Sequence, residues 1–263
     1  MVIPIHDDNP VHRRPWVTYL LILVNVVVFF VEPIARGPLA GETPAAQACR
    51  QEAFFREYAA IPKELVTNDP LDVTAGGPVG EDSCRVVKPD YDKVPVLSVL
   101  FAMFLHGGLL HLLGNMLFLF VFGNNVEDRL GRLRFLLCYL AWGYVATYVF
   151  AFSFRDSTTV LVGASGAVAG VLGAYLRVFP RARVTSLVPF LLFFPLRLPA
   201  WVVLGTWFLL QWVYSQGAGL TEGSGVAYLA HVAGFVAGLL TLLVIRTYDP
   251  RRPPRRMRGR LMT

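Results

Sequence analysis

Six stretches of this chain are apolar over long distances: residues 16–32, 95–122, 133–154, 161–179, 199–215 and 226–245. Each approaches the roughly 17–25 residues that an α-helix needs to cross a bilayer. None alternates with period 2 and all are too long for ordinary strands, so a strand reading fails. The pattern predicts an all-α membrane protein built as a six-transmembrane-helix bundle. A further apolar stretch, 184–198, is punctuated by Pro189, Pro195 and Pro199 and reads as an interfacial turn rather than a seventh span. The chain then divides into an N-terminal tail (1–15), a first span (16–32), a long polar loop (33–94), a core of five spans (95–246) and a basic tail (247–263). Within the long loop, Ala48, Phe54, Phe55, Tyr58, Ile61 and Leu65 recur at helical spacing between Gln47 and Val66. That spacing suits either an amphipathic helix on the outer leaflet or a small helical subdomain packed on itself.

Composition supports the membrane. Hydrophobic residues make up 55% of the chain and charged residues 16%, against roughly 25% charged in soluble domains. From Arg246 onwards the tail carries seven arginines and one acid, Asp249. A cytoplasmic anchor beside an anionic leaflet explains that tail better than nucleic-acid binding. With the N-terminus inside, the loops holding Arg129, Arg132 and Arg134, and Arg177, Arg181, Arg183 and Arg197, face the cytoplasm with the tail. Residues 33–95 hold seven basic and ten acidic residues, and the loops near Arg155 and Glu222 are nearly neutral. Both termini are therefore predicted to be cytoplasmic. Arg13 and Arg14 before the run Trp16 to Val31 imitate a signal peptide, but Pro38-Leu39-Ala40 is a poor cleavage site, and a retained anchor is expected. Of three cysteines, Cys138 lies in an apolar run. Cys49 and Cys84 share the polar loop, where both a bridge and two free thiols are chemically allowed.

A few polar groups sit where lipid would leave them unsatisfied, which makes them candidates for chemistry. Ser165 opens the fourth run within Gly163-Ala-Ser-Gly166. A helix bounded by Gly163 and Pro180 has about sixteen residues between them, or roughly 24 Å, and is shorter than the roughly 30 Å hydrocarbon core. Its start, with Ser165, must then lie inside the membrane towards the outer side, with the helix dipole aimed at any oxyanion formed there. His231 shares a helical face with Gly234 and Gly238 at i, i+3 and i+7, and Gly166, Gly170 and Gly173 share a face of the fourth run, with Gly163 expected among the small residues that support helix packing. Two glycine faces suggest that these helices touch, bringing His231 within reach of Ser165 as a general base. Asn115 offers a side-chain N–H donor for an oxyanion. Its alternative, an interhelical hydrogen bond, better suits Asn25. His106 and His111 lie i, i+5 apart, a poor metal pair unless the helix breaks at Gly107-Gly108. There is no His-Glu-x-x-His and no Gly-x-Gly-Asp, so zinc and aspartyl mechanisms lack support, and no metal or cofactor is expected.

Four segments in order, His-Gly-Gly-Leu-Leu-His-Leu-Leu-Gly-Asn (106–115), Val-Glu-Asp-Arg-Leu-Gly (126–131), Gly-Ala-Ser-Gly (163–166) and His-Val-Ala-Gly-Phe-Val-Ala-Gly (231–238), resemble the rhomboid family of intramembrane serine proteases over roughly residues 95–245. The resemblance implies Ser165 as nucleophile and His231 as general base in a dyad without aspartate. It places an oxyanion hole at Asn115, His111 and the backbone N–H of Ser165. It also implies a structural role for His106, and a polar lock at Glu127 and Arg129. Two departures stand out. The Trp-Arg pair that many members carry before the first histidine is replaced by Leu97 and Ser98. The aromatic that some members stack on the histidine is replaced by Ala169.

The expectation is thus a serine endopeptidase cutting transmembrane protein substrates, multi-pass in a bacterial-type cytoplasmic membrane, its site opening to the outer side. The rivals are an inactive relative that binds transmembrane segments for quality control, and a transporter. The first would lack the serine or the histidine, and the second would want an inverted repeat that this chain does not display.

Overall fold

A computed structural model describes residues 3–37, 39, 42–71, 92–188, 194–217 and 227–245. Cys84, Glu222 and the basic tail at 247–263 lie outside the described residues. After a short strand, β1 (Ile3–Asp7), the first apolar run forms α1 (Trp16–Val31). It starts behind Pro15 and stops before Pro33, both places where proline ends or begins a helix without losing a needed N–H. Thr18, Leu21, Asn25 and Phe29 form its buried stripe, while Leu20, Leu23, Val27 and Phe30 stay exposed. An apolar exposed face of that kind suits lipid. Asn25 bonds within its own helix, Nδ2 donating to the Leu21 carbonyl at 2.7 Å, so the interhelical bond expected of it is not made.

A single turn, α2 (Pro33–Arg36), leads into the long loop. The helical pattern there becomes two helices, α3 (Pro44–Tyr58) and α4 (Pro62–Thr67), broken at three fully buried residues, Ala59, Ala60 and Ile61. The pair packs on the bundle. Phe55 and Ala59 meet Leu105, and Ala60 and Leu65 join Val99, Ala102 and Ala151 in a second cluster. Lys93 and Glu64 form a buried ion pair at 2.7 Å, and Lys93 Nζ also donates to the carbonyls of Arg56 and Ala59. Cys49 is disulfide-bonded, and Cys138 is a buried free thiol.

The second apolar run is not one helix. It gives α5 (Pro95–Ala102), an irregular stretch through Gly107 and Gly108, and α6 (Leu109–Phe118). A π-helical turn (Leu119–Gly123) carries α6 into α7 (Asn124–Leu130), so Leu109–Leu130 runs on as 22 residues. Gly131, at φ +80°, turns the chain into α8 (Arg132–Ser153), also 22 residues. These two are long and apolar enough to cross a membrane. α1, α9 (Ser165–Val178), α10 (Ala200–Ser215) and α11 (Tyr228–Val244) are shorter apolar helices. The centre of the bundle is α9, whose residues Ala167 to Tyr175 are buried without interruption.

The all-α expectation is corrected by a three-stranded antiparallel sheet, ordered β1-β2-β3, with β2 at Arg183–Val188 and β3 at Phe194–Pro199. Within the stretch read as an interfacial turn, residues 184–188 and 194–198 belong to β2 and β3, Pro189 lies outside the described residues, and the N-terminal tail supplies the third strand. Pro195 and Pro199 are tolerated because β3 is an edge strand, where a missing N–H costs no ladder bond. Asp7, at the end of β1, is buried and accepts hydrogen bonds from Tyr175 Oη at 2.7 Å, Asn125 Nδ2 at 2.8 Å and Asn9 Nδ2 at 3.2 Å. Burial raises its pKa above the ordinary carboxylate value, and the hydrogen bond from Tyr175 opposes that rise.

Candidate active site

Ser165 is the first residue of α9, and His231 lies in the first turn of α11. Their side chains meet, His231 Nε2 to Ser165 Oγ at 2.8 Å. The helices can come this close because glycines leave room for backbone. A Cβ on Gly234 would overlap the carbonyl oxygen of Gly166, one on Gly238 that of Gly170, and one on Gly173 that of Phe235. The other side of α9 is also close-packed, though against side chains, since Gly166 and Gly170 abut Ala146 and Trp142 of α8 at 2.7 and 2.6 Å from the position of a Cβ. Without a hydrophobic force between helices in lipid, small residues that allow such contact are what drive association.

Gly163 has a different part from the helix packing expected of it. It precedes α9 at φ +117°, a conformation that disfavours side chains, and a Cβ there would lie 2.7 Å from both Cε1 and Nε2 of His111. Its N–H donates to the carbonyl of Ala102 at 2.8 Å, tying the approach to α9 onto α5. Gly163 thus makes room for His111 beside the serine. Asn115, one turn along α6, is buried, and its Nδ2 has no hydrogen-bond partner among the described residues. A buried amide donor left unpaired costs about 1–3 kcal/mol unless a ligand meets it. The place where Gly163 would carry a Cβ is 3.7 Å from that nitrogen, so the donor lies against the start of α9.

The break at Gly107-Gly108 brings His106 and His111 edge to face, with ring centroids 5.2 Å apart. His106 is fully buried, and its N–H donates to both Glu32 carboxylate oxygens at 3.1 and 3.3 Å. Glu32 went unnoticed in the sequence because it sits at the edge of the first apolar run, although an acid beside lipid is itself a signal. Glu127 accepts from the N–H groups of Val17 and Thr18 and from the Thr18 hydroxyl, satisfying the first turn of α1. Arg129 lies over the Phe179 ring, 4.8 Å from its centroid. Ser98 Oγ donates to the Pro95 carbonyl within α5, and Leu97 is exposed.

Two residues of α10 that sequence reading passed over hold the imidazole. The amide oxygen Oε1 of buried Gln211 is 2.8 Å from His231 Nδ1. Trp207, one turn earlier, lies alongside the ring with centroids 6.0 Å apart and planes inclined by 31°. The support that Ala169 cannot give thus comes from another helix. A cavity of about 40 Å³ opens beside Ser165, lined by Ala102, Met103, Gly143, Gly163 and Gly166 among others.

A rhomboid domain model matches residues 95–248. RHOMBOID-like protein 4 of Arabidopsis thaliana is 28% identical over 244 residues, 89% of this chain and 54% of that protein. RHOMBOID-like protein 6, mitochondrial, from the same plant is 30% identical over 165 residues, 61% of this chain and 50% of the relative. Rhomboid protein 1, mitochondrial, of Saccharomyces cerevisiae is 29% identical over 149 residues, 55% of this chain and 40% of the yeast protein. The chain spans about half the length of these relatives. Because two of them are named as mitochondrial, the comparisons do not support the expected bacterial-type cytoplasmic membrane.

Proposed function

Because the chain belongs to the rhomboid family, whose members are integral to membranes and act on transmembrane protein substrates, we propose that it is an intramembrane serine endopeptidase. The observation that carries this reading is the 2.8 Å contact between Ser165 Oγ and His231 Nε2. In the proposed reaction Ser165 attacks a peptide carbonyl while His231 takes its proton and returns it to the leaving amine. The negative oxygen of the tetrahedral intermediate is met by Asn115 Nδ2, by His111 and by the Ser165 backbone N–H at the start of α9. Water then resolves the acyl-enzyme. The reaction needs no metal or cofactor, and nucleic acid has no part in it.

The reading takes α1, the run Leu109–Leu130, α8, α9, α10 and α11 as six spans with both termini cytoplasmic. The site then opens to the outer side. The substrate is a transmembrane segment that unwinds locally, since a stable helix hides its carbonyls in hydrogen bonds. The small cavity beside Ser165 supports cleavage after a small residue, with room for a methyl-sized side chain.

The test is cleavage of a single-span substrate in liposomes by the full chain and by Ser165→Ala. Loss by roughly four to six orders of magnitude in a folded variant is expected. Equal cleavage by both would sink the serine mechanism, and no cleavage or fluorophosphonate labelling by either would favour a relative that binds transmembrane segments without cutting them.

A further inference from the structure

We propose that Gln211 is a positioning residue that sets the tautomer and orientation of His231, making the Ser165–His231 pair the working end of a three-helix relay across α9, α11 and α10. The inference rests on the protease reading for its consequence but not for its geometry. An amide oxygen only accepts, so Oε1 at 2.8 Å requires the proton on Nδ1. Nε2 is then a bare acceptor facing the Ser165 hydroxyl at 2.8 Å, the arrangement a general base needs. The imidazolium formed after proton transfer keeps its Nδ1–H, so the same hydrogen bond holds through both protonation states.

Gln211 differs from the carboxylate that often stands behind a catalytic histidine. It carries no charge, so it orients the ring and stabilises the cation only through its dipole. A buried carboxylate in this apolar setting would itself be costly to ionise. Trp207 and Gln211 are i, i+4 on α10 and share a face. One lies along the imidazole and the other meets its edge, leaving the ring little rotational freedom. A merely satisfied buried amide would contribute to stability alone. A positioning residue must also change how fast and at what pH the histidine works.

The experiment compares the full chain with Gln211→Leu and Gln211→Glu in liposomes, measuring kcat, KM, melting temperature and the pH profile. Gln211→Leu is expected to lower kcat on the order of tenfold, the scale of one buried hydrogen bond, with KM nearly unchanged. Gln211→Glu keeps an acceptor oxygen for the Nδ1–H whether or not it ionises, so it is expected to recover most of the activity; to the extent that the carboxylate ionises beside the imidazolium, the acid limb of the profile moves to higher pH. Wild-type kcat and profile in Gln211→Leu would overturn the proposal, as would equal impairment of both variants in proportion to lost melting temperature. Ring ¹⁵N shifts of His231 in a Ser165→Ala background separate this from the protease reading. Protonated Nδ1 with Gln211, and mixed tautomers with Leu, uphold the positioning role even where cleavage fails. An unchanged tautomer in Gln211→Leu refutes it.

Discussion

The seam between α9 and α11 and the anchorage of α3 and α4 hold helices in place by opposite means. At the seam nothing projects: Gly234, Gly238 and Gly173 let one backbone rest on the carbonyls of the other. At the anchorage a buried Lys93–Glu64 pair reaches between elements and caps two carbonyls at the end of α3. The first contact tolerates no added atom, and the second tolerates no missing one. The seam positions the chemistry directly, since Ser165 and His231 ride on its two helices. The anchorage positions the frame around it.

The largest effect should come from adding atoms to the seam. Gly238→Leu drives a side chain into the Gly170 carbonyl, for which no rotamer offers relief. A loss upwards of roughly 3 kcal/mol is expected, with cleavage abolished, and a thermal melt plus a cleavage assay decide it. A near-native melt would mean that the helices are further apart than described. At the anchorage, Lys93→Met strands a buried carboxylate and should cost about 3–5 kcal/mol, while Lys93→Met with Glu64→Leu should come close to neutral. If the double variant is as poor as the single one, packing rather than charge pairing holds the outer helices.

A weaker effect is expected at the other end of the bundle. The Asp7 pKa is raised in the folded protein, chiefly by burial, so the protonated acid is the form that folding favours. Its contribution is therefore greatest below the unfolded value and is lost as pH rises through the raised one. The melting-temperature difference between wild type and Asp7→Asn should shrink or reverse on going from acid to neutral pH. A constant difference would count against Asp7 as the titrating group. The smallest effect serves as a control. Gly205 of α10 has open space where a Cβ would stand, so Gly205→Ala should be stabilising by about 0.5–1 kcal/mol. A large loss there would erase the distinction between seam glycines and ordinary ones.

The two regions also differ in how far they can be read from the chain. The apolar helices, the glycine faces and the meeting of Ser165 with His231 follow from local periodicity, because helix geometry converts spacing into direction. The site's remaining parts resisted for physical reasons. Gln211 sits in an apolar run with no motif around it to mark it, and its partner His231 lies 20 residues on, on another helix. Asp7 meets Tyr175 across 168 positions, a pairing no window sees. The sheet was hidden because β1 stands alone at the chain's start and β3 carries two prolines, which look like breakers until its edge position is known. The break before α6 was allowed by Gly107-Gly108, yet the surrounding hydrophobicity argued for continuity.

The glycine seam has a consequence for how this protein can change. At Gly173, Gly234 and Gly238 there is no side chain to trim, so every substitution adds bulk and pushes α9 and α11 apart. None can draw them together. The spacing of the serine and histidine therefore lies at the boundary of what its helices permit, not at the middle of a range. Single-step variation at these positions can only weaken the pair, and improvement must come from residues around it.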